Sequence, residues 1–281
     1  MGQERIIHAA LLGAGTVGSG VYKLVKDLEE EIISKTGARL VVDKILVRDT
    51  TKAREGIPSE LLIDRWDEIL NDPQIEIVIE VMGGIRPALT WLEEALRAGK
   101  QVVTANKDLL AEYGEQLFDA AEAGKCDLHF EAAVAGAIPI IRPLRQSLVA
   151  SELTEVMGIV NGTTNYILTR MTEDGMGYEE ALALATKLGY AESDPTADVE
   201  GYDAGRKVAI MASIAFNSNV TFSQVYTEGI THITAEDIRY AKEFGYVIKL
   251  IGMTRLTEGG VEVKVHPMRL PEQHPLSTVR D

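Results

Sequence analysis

Cys126 is the only cysteine in the chain, which excludes an intrachain disulfide framework and any metal centre built from several thiolates. It follows Gly124-Lys125 at the head of an expected strand and reads as a structural residue. Basic residues are also few, 28 against 43 acidic ones, for a net charge of −15. A surface of that sign repels phosphate backbones and anionic headgroups, so no nucleic acid and no membrane is expected as a partner. Local backbone amides can still hold a phosphorylated small molecule. No apolar run approaches the roughly 20 residues that a membrane-spanning helix requires. Met1–Ala10 lacks the pattern of a secretory leader and reads as the start of a strand, so the expected address is the cytoplasm. Internal repeats and low-complexity segments are missing too. What remains is 281 residues, 46% hydrophobic and 25% charged, the balance of a globular protein with room for two cores.

The apolar pattern alternates between periods. Ile6–Leu12 is a short apolar run, and Val17, Val21, Leu24, Val25, Leu28 and Ile32 then recur at helical spacing up to about Ser34. Further strands are expected at Arg39–Val47, Ile75–Val81, Gln101–Thr104 and Asp127–Ala133. Helices are expected at Glu60–Leu70, Pro87–Ala98 and Leu109–Ala123. This alternation predicts an α/β fold whose first half is a Rossmann-type, doubly wound parallel sheet covered on both faces. The rhythm changes at Gly136–Pro143. We place one domain at 1–139 and a second α/β domain at 140–281. The second shows a strand at Glu155–Val160, a turn at Asn161-Gly162, helices at Tyr166–Met171, Tyr178–Leu188 and Ala204–Phe216, and a terminal hairpin of Val247–Arg255 with Gly260–Pro267.

Gly13-Ala14-Gly15-Thr16-Val17-Gly18 fits G-x-G-x-x-G between a strand and a helix. Gly13 allows the tight turn, Gly15 admits a pyrophosphate to the backbone, and Gly18 lets helix and strand pack closely. The helix N-terminus, at Thr16 and Val17, offers free amides to the phosphates. Without a ligand the same string would be an ordinary strand–helix turn. At the end of the second strand stand Arg48 and Asp49, with Lys52 nearby. Arg48 suits the 2′-phosphate of NADP and Asp49 the ribose of NAD, so both cofactors stay open; a solvated Arg-Asp pair is the plain alternative. Met82-Gly83-Gly84 and Thr104-Ala105-Asn106-Lys107 close two further strands at the same crevice, with Lys107 either directed into it or merely opening a helix.

In the second half, five acidic residues, Glu192, Asp194, Asp198, Glu200 and Asp203, lead to Lys207. The i, i+4 spacing puts Asp203 and Lys207 on one helix face, where they are either functional or a plain salt bridge. With Gly-Ala-Gly-Thr-Val-Gly, Thr-Ala-Asn-Lys, Glu131–Pro139 and Asn161–Leu168, this run resembles the homoserine dehydrogenase family over nearly the whole chain. The resemblance implies a reversible hydride transfer between NADP or NAD and L-homoserine or L-aspartate 4-semialdehyde, in threonine, methionine and isoleucine biosynthesis. It implies Lys207 as the catalytic proton carrier and Lys107 as a second active-site lysine that also touches the cofactor. Glu192 and Asp203 would hold the substrate, with Gly162 and Thr163 close to it. Gly13, Gly15, Thr16, Val17, Gly18, Arg48, Thr104, Lys107 and Gly189 would contact the cofactor. Glu131, Val134, Gly136 and Ile138 would hold a monovalent cation, sodium in most of the family. The second half would carry substrate binding and a homodimer contact.

The family continues past this chain's Asp281 with further strands, a glycine-rich cofactor-contacting segment and a returning helix. The substrate domain is therefore expected to be incomplete at its C-terminus. Many relatives also carry a regulatory domain for threonine feedback. Two alternatives are weaker. An aldehyde dehydrogenase working through a thioester needs a nucleophilic cysteine, and Cys126 lacks the setting. A silent NADP-binding sensor would bind NADPH but never oxidise it.

Overall fold

A computed structural model describes residues 5–280 and resolves two compact units, one ending at Ala133 and the other beginning at Val134. That boundary falls six residues before the one expected from the glycine- and proline-rich stretch. The expectation for Met1–Ala10 lies partly outside the described residues, its strand beginning at Arg5.

The first unit is a six-stranded parallel sheet. Its strands are β1 (Arg5–Leu12), β2 (Ala38–Leu46), β3 (Leu62–Ile63), β4 (Ile75–Glu80), β5 (Gln101–Thr104) and β6 (Leu128–His129), in the order β3-β2-β1-β4-β5-β6. In such a doubly wound sheet the strand order reverses beside β1, and ligands bind outside the carboxyl ends of the strands at that point. Ala9 and Leu11 of β1 pack with Tyr22, Val21 and Val25 of α1 (Thr16–Asp27). Ala10 and Leu12 have the opposite parity along the strand and are equally inaccessible, so both faces of the sheet are covered. The long helical pattern after the glycine turn is divided at Leu28, and α2 (Glu29–Thr36) ends on Gly37 in the left-handed conformation. Helices α4 (Ala88–Arg97) and α5 (Lys107–Gly124) pack on each other.

Two expectations in this unit need correction. Glu60–Leu70 is a 3₁₀ turn at Ser59–Leu61, then β3, then the single-turn α3 (Asp67–Leu70). Leu62 is buried as the edge partner of Ile45, so tertiary pairing overrides a helical reading. Asp127–Ala133 is only the two-residue β6 followed by a 3₁₀ turn at Glu131–Ala133. Cys126 serves the fold, as expected. Its thiol faces the Leu96 carbonyl at 3.2 Å, and burial pushes its pKa upward, away from a nucleophile.

The second unit is a mixed four-stranded sheet, β7 (Glu155–Gly158), β9 (Tyr246–Thr257), β10 (Gly260–Pro271) and β8 (Tyr226–Thr227), in the order β7-β9-β10-β8. The expected hairpin is present and longer at both ends, with β9 and β10 paired along twelve residues. Four α-helices precede β8: α6 (Gly162–Glu173), α7 (Tyr178–Leu188), the single-turn α8 (Thr196–Val199) and α9 (Tyr202–Ala215). Helix α9 lies on β9 and β10. Gly252 makes that approach feasible, since a Cβ there would stand 2.4 Å from Val208 Cγ2. Helix α10 (Ala235–Glu243), which the hydropathy pattern did not reveal, buries only Ile238 and Ala241 and starts from a Thr234–Asp237 capping box.

Candidate functional site

In the first unit the glycine-rich turn has the geometry that its sequence requires. Gly13 sits at φ 102°, conformational space that an L side chain rarely adopts. A Cβ on Gly18 would stand 2.1 Å from the Gly13 carbonyl oxygen, whereas one on Gly15 would meet nothing within 4 Å. The first and third glycines are thus required by the protein itself, and Gly15 borders open space that a pyrophosphate can use. Gly15, Thr16 and Val17 are exposed at the mouth of α1, and Gly18 is buried beneath them. The residues fit a dinucleotide.

Arg48 is exposed and makes no hydrogen bond to the described residues. Asp49, its competitor, is already engaged. Its carboxylate accepts from the Thr51 amide at 2.9 Å and the Thr51 hydroxyl at 2.6 Å, which hold its pKa below the ordinary value. Asp49 therefore stabilises its own turn, and Arg48 is the side chain left for a ligand.

Lys107 is the first residue of α5, half-buried at the carboxyl end of β5. Thr104 is 1% exposed, and its hydroxyl donates to Glu80 Oε2 at 2.7 Å while accepting from the Asn106 amide at 3.0 Å. With its proton committed inside the protein, Thr104 acts beneath the crevice. Sequence reasoning missed Glu80 altogether. Its only signal was an acidic residue closing β4 directly after the apolar run Ile77-Val78-Ile79.

The second unit gathers a polar cluster where α6 and α9 begin. Lys207 Nζ donates to Asp203 Oδ2 at 2.6 Å and to the Val160 carbonyl at 2.8 Å. The pair is largely shielded, with side-chain exposures of 18% and 10%. Asn161, expected only as part of a turn, is the N-cap of α6. Its side-chain oxygen accepts from the Thr164 amide at 2.8 Å, and its amide nitrogen donates to Asp198 at 2.7 Å and to Asp203 at 2.9 Å. One side chain thus caps the helix and fixes the Asp203 carboxylate that holds Lys207. Asn-Gly-Thr-Thr was the available signal, because a capping Asn and a turn Asn look alike until the following residues prove helical.

Thr163 donates its hydroxyl to the Tyr190 carbonyl at 2.8 Å, and Tyr190 stacks on Tyr166 with centroids 4.5 Å apart. These contacts hold the Gly189–Glu192 segment against the exposed Gly162 and the start of α6. Gly189 ends α7 in the left-handed conformation at φ 83° and is exposed. Glu192 is exposed and makes no hydrogen bond to the described residues, so it does not join the ion pair of Asp203 with Lys207.

Among the described residues no three His, Cys, Asp or Glu side chains converge as a metal cluster. A cation at Glu131, Val134, Gly136 and Ile138 would thus rely on carbonyl oxygens. Val134 is fully buried, Gly136 is exposed, and Ile138 is 69% exposed. Ala135 and Ala137, on either side of Gly136, hold left-handed backbone at φ 49° and 68°. Such conformations cost an alanine roughly 1–2 kcal/mol each, and the Ala135 carbonyl accepts from the Ile138 amide at 2.8 Å.

Residues 13–131 match the family model described as homoserine dehydrogenase, NAD binding domain, and residues 139–281 match homoserine dehydrogenase. The chain is 47% identical to a homoserine dehydrogenase of Bacillus subtilis over 99% of its own length. It covers 64% of that relative. A crystallised homoserine dehydrogenase from Thiobacillus denitrificans superposes with a TM-score of 0.92 at 44% identity, over 98% of this chain and 64% of that one. A putative homoserine dehydrogenase from Archaeoglobus fulgidus gives 0.84 at 34% identity, over 98% of this chain and 87% of that one. With both halves of the chain matched in sequence and in structure, it belongs to the homoserine dehydrogenase family.

Proposed function

We propose that this chain catalyses the reversible interconversion of L-homoserine and L-aspartate 4-semialdehyde with a nicotinamide dinucleotide. The observation that carries the reading is the Asp203–Lys207 pair. Of the three protons on a charged Lys Nζ, two are directed at Asp203 and the Val160 carbonyl, leaving one for a substrate oxygen. A bound nicotinamide supplies or accepts the hydride. The chain's own residues manage the proton and the orientation. In reduction, Lys207 polarises the aldehyde oxygen and protonates it; in oxidation, it removes the hydroxyl proton. Asp203 and Asn161 aim the ammonium, and the exposed Glu192 offers a carboxylate to the substrate's amino group.

Arg48, with no hydrogen bond to the described residues, favours NADP over NAD, because a guanidinium grips a 2′-phosphate with two parallel hydrogen bonds. We assign the monovalent cation, sodium above all, to the Glu131–Ile138 segment, and a homodimer contact to the second unit. No helix among the described residues is long and apolar enough to cross a membrane. The deciding experiment follows nicotinamide absorbance with homoserine and each oxidised cofactor, and with aspartate 4-semialdehyde and each reduced one. Turnover in both directions is expected. NADPH binding without turnover would mark the chain as a sensor instead.

A further inference from the structure

Glu80 ends β4 with its side chain wholly inside the first unit, at 0% exposure. No basic side chain is among its hydrogen-bond partners. Its Oε1 accepts from the backbone amides of Met82 at 2.8 Å and Gly83 at 3.1 Å, and its Oε2 accepts from the Thr104 hydroxyl. A buried carboxylate is costly, and a valine would finish a buried strand without that cost. The charge must therefore be tied to what it holds.

What it holds is a closed ring across the carboxyl ends of β4 and β5. Thr104, fixed by Glu80, accepts from the Asn106 amide, and the Asn106 side chain donates to the Gly84 carbonyl at 2.7 Å while capping α5 through the Leu109 amide. Gly84 belongs to the same loop whose amides Glu80 binds. The ring also reaches the glycine-rich turn. A Cβ on Gly13 would stand 3.3 Å from both the amide nitrogen and Cα of Met82, so the peptide that Glu80 grips is packed against that turn. Three loops bordering the crevice, 13–18, 81–84 and 104–107, are locked together around one carboxylate.

We propose that Glu80 is a positioning residue for the nicotinamide cofactor, acting through Thr104 and the 82–84 loop to set Asn106 and Lys107 at the crevice. The inference rests on the dinucleotide reading above. As bonded, both oxygens accept, Oε1 from two backbone amides and Oε2 from the Thr104 hydroxyl, the one partner able to accept as well. Glu80→Gln, with its oxygen on the two amides, sets an N–H against the Thr104 hydroxyl proton, which must turn away, so the variant removes the charge and the bond from Thr104 to residue 80 while keeping the volume.

The test measures NADPH affinity by nicotinamide fluorescence, steady-state constants for each substrate, and thermal unfolding, all on the full chain. Small losses of alignment in a positioning contact cost up to about 10²-fold. Glu80→Gln is expected to weaken NADPH binding or cut kcat by about tenfold, with KM for homoserine nearly fixed. Thr104→Val, which removes the same contact from the other side, should match it. The double variant should lose no more than either single one, and Thr104→Ser should recover what Thr104→Val loses. NADPH affinity and kcat both within twofold of the parent in Glu80→Gln would overturn the proposal, even if the melting temperature fell. So would a loss in Glu80→Gln that Thr104→Val does not share. A parent chain that binds no NADPH overturns the dinucleotide reading itself, and this proposal with it.

Discussion

Lys207 and Arg48 are the side chains on which the reading turns, and they are differently constrained. Lys207→Ala removes the proton carrier and should lower kcat by about 10²–10⁴-fold with cofactor affinity little changed. It also leaves Asp203, at 10% side-chain exposure, without its ammonium, so a loss of about 1–3 kcal/mol in stability should accompany it. Rapid kinetics and a denaturant titration separate the two effects, and a variant keeping a tenth of parental kcat would remove Lys207 from its role. Arg48→Asp carries no such structural cost, since Arg48 makes no hydrogen bond to the described residues. It should lower kcat/KM for NADP and spare or raise that for NAD; unchanged ratios would place specificity elsewhere. The i, i+4 pairing of Asp203 with Lys207 was legible because helical spacing is a local property. That Thr104 looks inward and that Glu192 is not drawn to the lysine were illegible, because each depends on residues brought near by folding rather than by sequence.

Short polar tethers between elements explain the rest of the local architecture. Asp72, in the loop before β4, accepts from Lys44 of β2 at 2.7 Å and from the Gln74 amide at 2.9 Å, and the two bonds hold its pKa below the ordinary 3.8. A carboxyl depressed in the folded state contributes stability that is fully present above its unfolded pKa and fades as pH falls through the folded one. Asp72→Asn should therefore cost roughly 0.5–1 kcal/mol at neutral pH, the scale of a partly exposed ion pair. That difference from the parent should close once the pH is well below 3.8. Urea titrations at a series of pH values measure it, and a penalty that stayed constant into acid would show that the ion pair is not its source. Strands and helices with four or more patterned residues were readable from hydropathy. β6 was read too, though as seven residues in place of two; β3 and β8 were not, because a two-residue strand has no period, and α10 was not, because two buried side chains do not make a stripe.

At the scale of the molecule, each unit carries its own core and its own share of the candidate chemistry, nucleotide recognition in the first and the Asp203–Lys207 cluster in the second. Ligands that bind only the folded form suppress local opening where they bind. NADPH should therefore slow amide exchange at Gly13–Gly20 and Val81–Gly84, and homoserine at Asn161–Thr164. Protection by NADPH confined to the second unit would contradict the assignment. The two-domain α/β plan was legible because the change from strand–helix alternation to an antiparallel hairpin is visible in hydropathy alone. The boundary was less so, since glycine and proline mark a loop without saying which core its first residues join. The boundary segment holds one more consequence. Ala135 and Ala137 occupy left-handed backbone where glycine would sit without strain. Replacing either with glycine relieves about 1–2 kcal/mol of strain in the folded chain and gives back about 0.4–1 kcal/mol through the looser unfolded one, a small net gain. A melting curve would record such a variant as unharmed or slightly stabilised, while the freed loop would lose any grip on sodium that depended on its carbonyls being held. Measurements of stability would miss such a role for these alanines, and sodium dependence of turnover would test it.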